Sequence, residues 1–222
     1  MSNLFEAAPT QELESLLLEQ KVSLSSEQLK LVLGFYDKLV AENRIQNLTR
    51  LISPSDFIQG HLIDVLSLLK SGLLSFPALD LGSGGGVPGL LAACLKSGEW
   101  VLSDSEARKA EFLSKTVKDL GLSDVKVTAE RAEKFLKSNS VSSVVARAVG
   151  PVERIYSWLH PCSTWNNLVL FKGPGWEKEW QEFSSGKFKG RLVIESRFDY
   201  VVGVEEKKRV IIRLARVPRG TK

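Results

Sequence analysis

The chain has 222 residues and a mass of 24.6 kDa; 43% of its residues are apolar, 25% are charged, and the net charge is +4. These values fit one α/β domain and exclude a disordered chain or a multidomain machine, and a chain this long buries roughly 70% of its unfolded surface without a disulfide or metal staple. The longest uninterrupted apolar runs, as at Leu90–Leu95, are far below the ~18–20 residues of a membrane span.

Near the start, Glu6, Glu12 and Glu14 without early Lys or Arg argue against a signal or transit peptide. Up to residue 73 the pattern is helical. Ser25 followed by Gln28 is a capping-box signature, and Leu29, Val32, Leu33, Tyr36 and Val40 recur at helical spacing. A polar connector over Glu42–Arg50 leads to a second helix, opened by Ser53-Pro54-Ser55-Asp56 and carrying the stripe Phe57, Ile58, Leu62, Val65, Leu66 and Leu69. His61 and Asp64 sit one turn apart on it; as a metal pair they lack a third ligand, which leaves a helix-surface hydrogen bond or a role toward substrate.

From residue 76 short apolar runs (Ala78–Leu81, Trp100–Leu102, Val125–Val127, Val144–Ala146, Leu168–Phe171) alternate with helical segments, the rhythm of βαβ units in a parallel sheet. Ligands of such sheets gather at the carboxyl ends of the strands. The tail, Arg191–Asp199 and Val210–Ala215, reads as an antiparallel strand pair finishing the sheet. Residues 203–222 carry +5 against −1 for the rest, which suits either contact with a polyanion or a sheet edge guarded by Lys and Arg. Trp158, Trp165, Trp176 and Trp180 cluster around the fifth strand and read mostly as core, with one able to stack on a base. Cys94 and Cys162 are far apart, which implies reduced thiols and a cytoplasmic protein.

The most informative stretch is Ala78-Leu79-Asp80-Leu81-Gly82-Ser83-Gly84-Gly85-Gly86-Val87-Pro88-Gly89, a strand-to-helix turn before Leu90–Leu95, with Pro88 expected in the helix's first turn. Gly84-x-Gly86-x-x-Gly89 matches the dinucleotide string, but in that fold the first glycine directly follows the strand, which here is Gly82. Counted from Gly82 the third glycine falls on Val87 and the pattern fails. What fits is Asp-x-Gly-x-Gly-x-Gly beginning at Asp80, a spacing that resembles the S-adenosylmethionine loop of class I methyltransferases. An acid there suits a cationic sulfonium and repels a pyrophosphate. Asp104 lies 22 residues past Gly82, near the distance at which a carboxylate meets ribose hydroxyls; its alternative is a helix cap before Glu106–Leu120. Glu130-Arg131-Ala132-Glu133 falls where an adenine-contacting loop or a helix start would lie, and Arg147 ends the fourth strand.

The ordered set Asn47-Leu48-Thr49, His61-x-x-Asp64, the glycine loop with Val87-Pro88-Gly89, Asp104-Ser105, Arg131-Ala132-Glu133, Ala146-Arg147-Ala148 and Leu170-Phe171-Lys172-Gly173 resembles the RsmG (GidB) family of bacterial 16S rRNA guanine-N7 methyltransferases. The resemblance implies a class I methyltransferase (Rossmann-like) fold, a mostly parallel α/β sheet with a terminal antiparallel hairpin. It implies S-adenosyl-L-methionine at Gly82, Gly84, Gly86, Val87, Asp104, Ala132, Glu133 and Arg147, and an RNA-facing role for Asn47, His61, Asp64, Arg131 and Lys172. Departures at Glu42, Gln46 and Val65, where the family usually has other residues, fall on the RNA side. The expectation is one domain over residues 1–222, with a helical cap over 1–73 and a cofactor-binding core over 74–222. It acts as a monomer on 16S rRNA or the small ribosomal subunit, without metal or membrane. Guanine N7 carries a lone pair and no proton at neutral pH, so no catalytic base is required and none is assigned. The alternative keeps the fold and takes a small molecule or another RNA as acceptor.

Overall fold

The computed structural model describes residues 9–203 and 205–217; Arg219 and Lys222 of the basic tail lie outside them. Helix α1 (Pro9–Glu19) precedes α2 (Ser26–Gln46). The capping box of α2 is formed, with Ser25 Oγ accepting from the Gln28 amide and the Gln28 side chain accepting from the Ser25 amide. This helix continues through most of the expected connector. It stops where Asn47 adopts a left-handed φ of 52° and donates its N–H to the Asn43 carbonyl, so the connector is only residues 47–53. The Ser53 hydroxyl then accepts from the Asp56 amide and opens α3 (Pro54–Phe57). A π-helical turn (Ile58–Leu62) and α4 (Ile63–Ser71) follow. That wide turn faces His61 inward, and both His61 and Asp64 are buried rather than on a helix surface.

Strands β1 (Ala78–Leu81), β2 (Trp100–Ser103), β3 (Val125–Thr128), β4 (Val141–Arg147), β5 (Trp165–Lys172), β6 (Leu192–Val202) and β7 (Lys207–Arg216) form one sheet in the order β3-β2-β1-β4-β5-β7-β6. The first five are parallel; β7 is antiparallel to both β5 and β6. β1 and β2 are buried at every position, the expected signature of strands covered on both faces. Period-two alternation sends Leu79, Leu81, Val144, Ala146, Leu168 and Leu170 into a core with α7 (Ala132–Phe135), α8 (Val152–Leu159) and α9 (Trp176–Ser185). Ala78, Trp100, Leu102, Val145, Val169 and Ile211 face the other layer. There α5 (Gly89–Leu95), α6 (Ala107–Asp119) and the N-terminal helices bury Leu13, Phe35, Leu39, Phe57 and Leu62. The N-terminal helices therefore share one continuous core with the sheet. Pro88 is the residue before α5 rather than inside its first turn.

Two consequences of this topology position the site. All five parallel strands end at one edge of the sheet, placing Gly82, Asp104, Arg131, Ala148 and Gly173 along it. Because β7 runs the other way, it starts at that same edge, and Lys172 pairs with Val210 beside the basic run Lys207-Lys208-Arg209. Among the described residues no helix is long and apolar enough to cross a membrane.

Candidate functional site

The loop after β1 turns by left-handed conformations at Gly82 (φ 71°), Gly84 (φ 52°) and Gly86 (φ 91°), which L side chains adopt at a cost. It is stitched to the end of β2. The Gly82 and Ser83 amides donate to the Ser103 carbonyl at 2.9 and 3.0 Å, and the Gly84 amide donates to Asp104 Oδ2 at 2.9 Å. Asp104 Oδ1 accepts from the Glu106 amide at 2.9 Å, so this one carboxylate fixes the glycine loop and the entry of α6 together. Of the two sequence readings of Asp104, the hydrogen bond to the Glu106 amide matches the cap at the entry of α6.

Asp80 does something other than expected. Alternation on β1 turns it toward α5, where it is 1% exposed and its Oδ2 accepts from the Gly89 amide at 2.9 Å. Burial pushes its pKa up to about 7, opposed by the Gly89 hydrogen bond. It lines neither cleft described below, so direct contact with a cationic ligand gives way to support of the loop from beneath. A Cβ at position 89 would lie 2.7 Å from Asp80 Oδ2 and 2.6 Å from Leu102 Cδ2, and only glycine permits that approach.

Two clefts meet over the loop. A cleft of about 280 Å³ is lined by Leu81, Gly82, Asp104, Arg131, Ala132, Glu133, Val149 and Trp158, among others. Its walls are apolar, from Ala132, Val149 and Trp158, and two carboxylates supply its acceptors. That is an acceptor set for hydroxyl and amine groups and a poor one for phosphates. Arg131 lines this cleft; its side chain is 73% exposed, and its Nη1 lies 3.9 Å from Glu133 Oε1. The second cleft, of about 690 Å³, is shared between the glycine loop (Gly82–Gly85, Val87), the connector (Leu48–Leu51), His61 and Arg147. Gly82 and Val149 line both clefts, so they form one bent groove. Gly86 lines neither and instead packs against Leu90 and Phe35.

Beneath the second cleft lies a buried polar network. Asp64, with its side chain 3% exposed, takes Arg147 Nε at 3.1 Å, the Tyr200 hydroxyl at 2.7 Å and an Arg209 amino group. Arg147 also donates through Nη2 to the Gly60 carbonyl at 2.6 Å and through Nη1 to His61 Nδ1 at 2.9 Å. His61 Nε2 lies 3.2 Å from Thr49 Oγ1. Burial first, and then the Arg147 charge, lower the His61 pKa to about 3, so the imidazole is neutral. Burial also lowers the Arg147 pKa, countered by Asp64, and raises that of Tyr200 with help from the Asp64 charge. The network ties the N-terminal helices to the ends of β4, β6 and β7. His61 and Asp64 therefore brace the cleft floor, with His61 lining the second cleft.

A third cleft of about 540 Å³ continues past Arg147 and Ala148 and is lined by Asp64, Lys172, Gly173, Tyr200, Lys207, Lys208 and Arg209. The exposed cations there are Lys207 and Lys208. Lys172, expected to face RNA, is tied to the Gly150 carbonyl at 2.9 Å and Glu179 Oε1 at 2.6 Å. Asn47 lies at the exposed end of α2, where its left-handed turn ends the helix, and lines no described cleft. Sequence reasoning gave no site role to Thr49 or Val149, and left Trp158 as one of four tryptophans of which one could stack on a base. Thr49 was visible as a member of the connector motif, whereas the position of Trp158 depends on how α8 folds back over β4. Cys162 is buried, with its thiol directed at the Glu133 carbonyl, and burial raises its pKa. Among the described residues no group of three or more His, Cys, Asp or Glu converges.

Residues 28–200 match the family model described as GidB, rRNA small subunit methyltransferase G. The ribosomal RNA small subunit methyltransferase G of Solibacter usitatus is 37% identical over 160 residues, covering 70% of this chain and 75% of the relative. The protein of the same name from Nitrosococcus oceani is 35% identical over 163 residues, with 72% and 76% covered. Among solved structures, an O-methyltransferase from Bacillus cereus in complex with SAH aligns with a TM-score of 0.57 at 15% identity, over 92% of this chain and 97% of that one. A human methyltransferase 10 domain containing protein aligns with a TM-score of 0.54 at 13% identity, over 72% and 84%. At such identities these two likenesses establish the class I methyltransferase fold and nothing finer.

Proposed function

The chain belongs to the rRNA small subunit methyltransferase G family, and from that premise we propose that it transfers a methyl group from S-adenosyl-L-methionine to N7 of a guanine in 16S ribosomal RNA. The observation that carries the reading is the bent groove joined at Gly82 and Val149, with a carboxylate-bearing apolar arm on one side and an open arm on the other. The acceptor set of the first arm fits the adenosine part of such a cofactor. Asp104 and Glu133 would accept from hydroxyl and amine groups, while Ala132, Val149 and Trp158 would flank a purine. The glycine loop, through Gly82, Gly84 and Val87, would hold the amino-acid end, and Gly86 would keep that loop closed on α5.

When bound, the cofactor supplies an electrophilic methyl group on a cationic sulfur. The protein's contribution is alignment, which can lower a barrier by about 7–11 kcal/mol when the reacting atoms are held in line. The acceptor nitrogen already has its lone pair, and no residue is required to remove a proton. Asp64 offsets one of the two guanidinium charges beneath the cleft, those of Arg147 and Arg209, and the buried imidazole of His61 stays uncharged, so the floor carries one positive charge rather than more.

Lys207 and Lys208 at the head of β7 would take the phosphates of the rRNA as it crosses toward the open arm. In this division residues 1–73 contribute the substrate-side wall and residues 74–222 the cofactor side, within one cytoplasmic chain acting as a monomer. The test is transfer of labelled methyl groups to small ribosomal subunits, or to 16S rRNA, taken from cells lacking the enzyme. Label confined to 7-methylguanine in 16S rRNA supports the reading. Transfer only to small molecules or to other RNAs would replace it.

A further inference from the structure

The buried network fixes the direction of every hydrogen bond that reaches Thr49. A guanidinium donates and never accepts, so His61 Nδ1, 2.9 Å from Arg147 Nη1, must present its lone pair. The other arrangement, with Nδ1–H donating to the Gly60 carbonyl 3.0 Å away, would set two N–H groups head to head. That carbonyl already accepts from Arg147 Nη2 at 2.6 Å. The neutral ring therefore carries its proton on Nε2 and donates it to Thr49 Oγ1 at 3.2 Å. The same oxygen accepts from the Leu51 amide at 3.0 Å. Both lone pairs of Thr49 are now committed, and among the described residues its own proton meets no acceptor. A threonine hydroxyl normally donates or accepts; this one can only donate, and Thr49 lines the open arm of the groove.

Building on the guanine-N7 reading above, we infer that Thr49 is a specificity-determining and positioning residue whose hydroxyl donates to O6 of the target guanine. On the edge that carries N7, guanine presents an oxygen acceptor where adenine presents an amino donor. A hydroxyl locked as a donor pairs with the first and confronts the second with N–H against O–H. It also sets N7, the neighbouring atom on that edge, at a defined place in the arm. The chain Arg147, His61, Thr49 thus connects a buried cation to a single hydrogen-bond donor at the cleft wall, and the imidazole acts as a fixed relay of orientation rather than as an acid or base.

The experiment compares Thr49→Val and Thr49→Ser with wild-type enzyme in single turnover on 16S rRNA, after the wild type has marked the methylated position. A second rRNA, joined from two pieces, carries 2-aminopurine there, which keeps N7 and lacks the oxygen. With guanine, Thr49→Val should be slower by roughly tenfold or more, the loss expected for one buried hydrogen bond and its misplacement. Thr49→Ser should stay within about threefold, and S-adenosylmethionine affinity by calorimetry should be the same in all three enzymes. With 2-aminopurine the wild type should lose about the same factor, and Thr49→Val should lose nothing further, since both changes remove the same contact.

Losses that multiply would assign Thr49 a structural role and overturn the inference, as would a Thr49→Val rate within twofold of wild type. A fall in cofactor affinity matching the fall in rate would move the contact to the cofactor's carboxylate and overturn it as well. A wild-type enzyme that leaves every guanine of 16S rRNA unmethylated would instead remove the function on which the inference rests.

Discussion

Replacing Asp64 with alanine should damage the protein more than any other single change at the cleft. Its side chain is 3% exposed and accepts from Arg147, Arg209 and Tyr200, three groups contributed by β4, β7 and β6. Removal leaves Arg147, itself 16% exposed at its side chain, without a counter-charge beside a second guanidinium. Breaking a buried pair from one side costs about 3–5 kcal/mol, whereas removing both members together costs much less. For a chain of this size that is a fall in melting temperature of roughly 6–20 °C. The informative comparison is Asp64→Leu against the double variant Asp64→Leu with Arg147→Met, followed by urea unfolding. Arg209, 29% exposed, can turn to solvent in the double variant, which should therefore be the more stable of the two. Equal costs, or a loss below about 1 kcal/mol for Asp64→Ala, would refute the view that this carboxylate is the counter-charge that Arg147 needs.

Four further outcomes follow from the geometry. Gly86→Ala places a Cβ 3.0 Å from Leu90 and 3.1 Å from Phe35 at a φ of 91°, and should cost about 2–3 kcal/mol in thermal or chemical unfolding. His61 has a folded pKa near 3, below its ordinary 6.5, so its unfolded state takes up the proton first. Its contribution to stability is present above about 6.5 and lost as pH falls toward 3, and His61→Asn should flatten that acid limb. Asp80 has the opposite sign. Its pKa near 7 favours the folded state at low pH, and this contribution fades as pH rises from about 4 to 7, so Asp80→Asn should remove that decline while keeping an acceptor for the Gly89 amide. Asp104→Ala frees the amides of Gly84 and Glu106 and should weaken S-adenosylmethionine at least tenfold by calorimetry, about the loss of one charge-assisted hydrogen bond.

The register of the glycine loop, the strand-helix alternation and the positions of Asp104 and Arg147 at strand ends were legible because they depend on local spacing and on the parallel topology it dictates. The direction of Asp80 was legible in principle. Leu79 and Leu81 face one layer, so the residue between them faces the other, away from the groove. What could not be read were contacts between segments far apart in the chain. Asp64 meets Arg209 across 145 residues, and only the antiparallel course of β7 brings them together. His61 and Asp64 looked like a helix surface because nothing in the sequence announces a π-helical turn. Lys172 looked free because its partner, Glu179, sits on a helix whose packing angle is set by the core under Trp176 and Phe183.

The most direct test of the central claim is a pair of calorimetric titrations of the wild-type protein, with S-adenosylmethionine and with a nicotinamide dinucleotide. The groove, with Asp104 and Glu133 as acceptors and an apolar wall at Trp158, should bind the methyl donor one to one and give no heat with the dinucleotide. Binding of the dinucleotide, with the methyl donor excluded, would contradict the account.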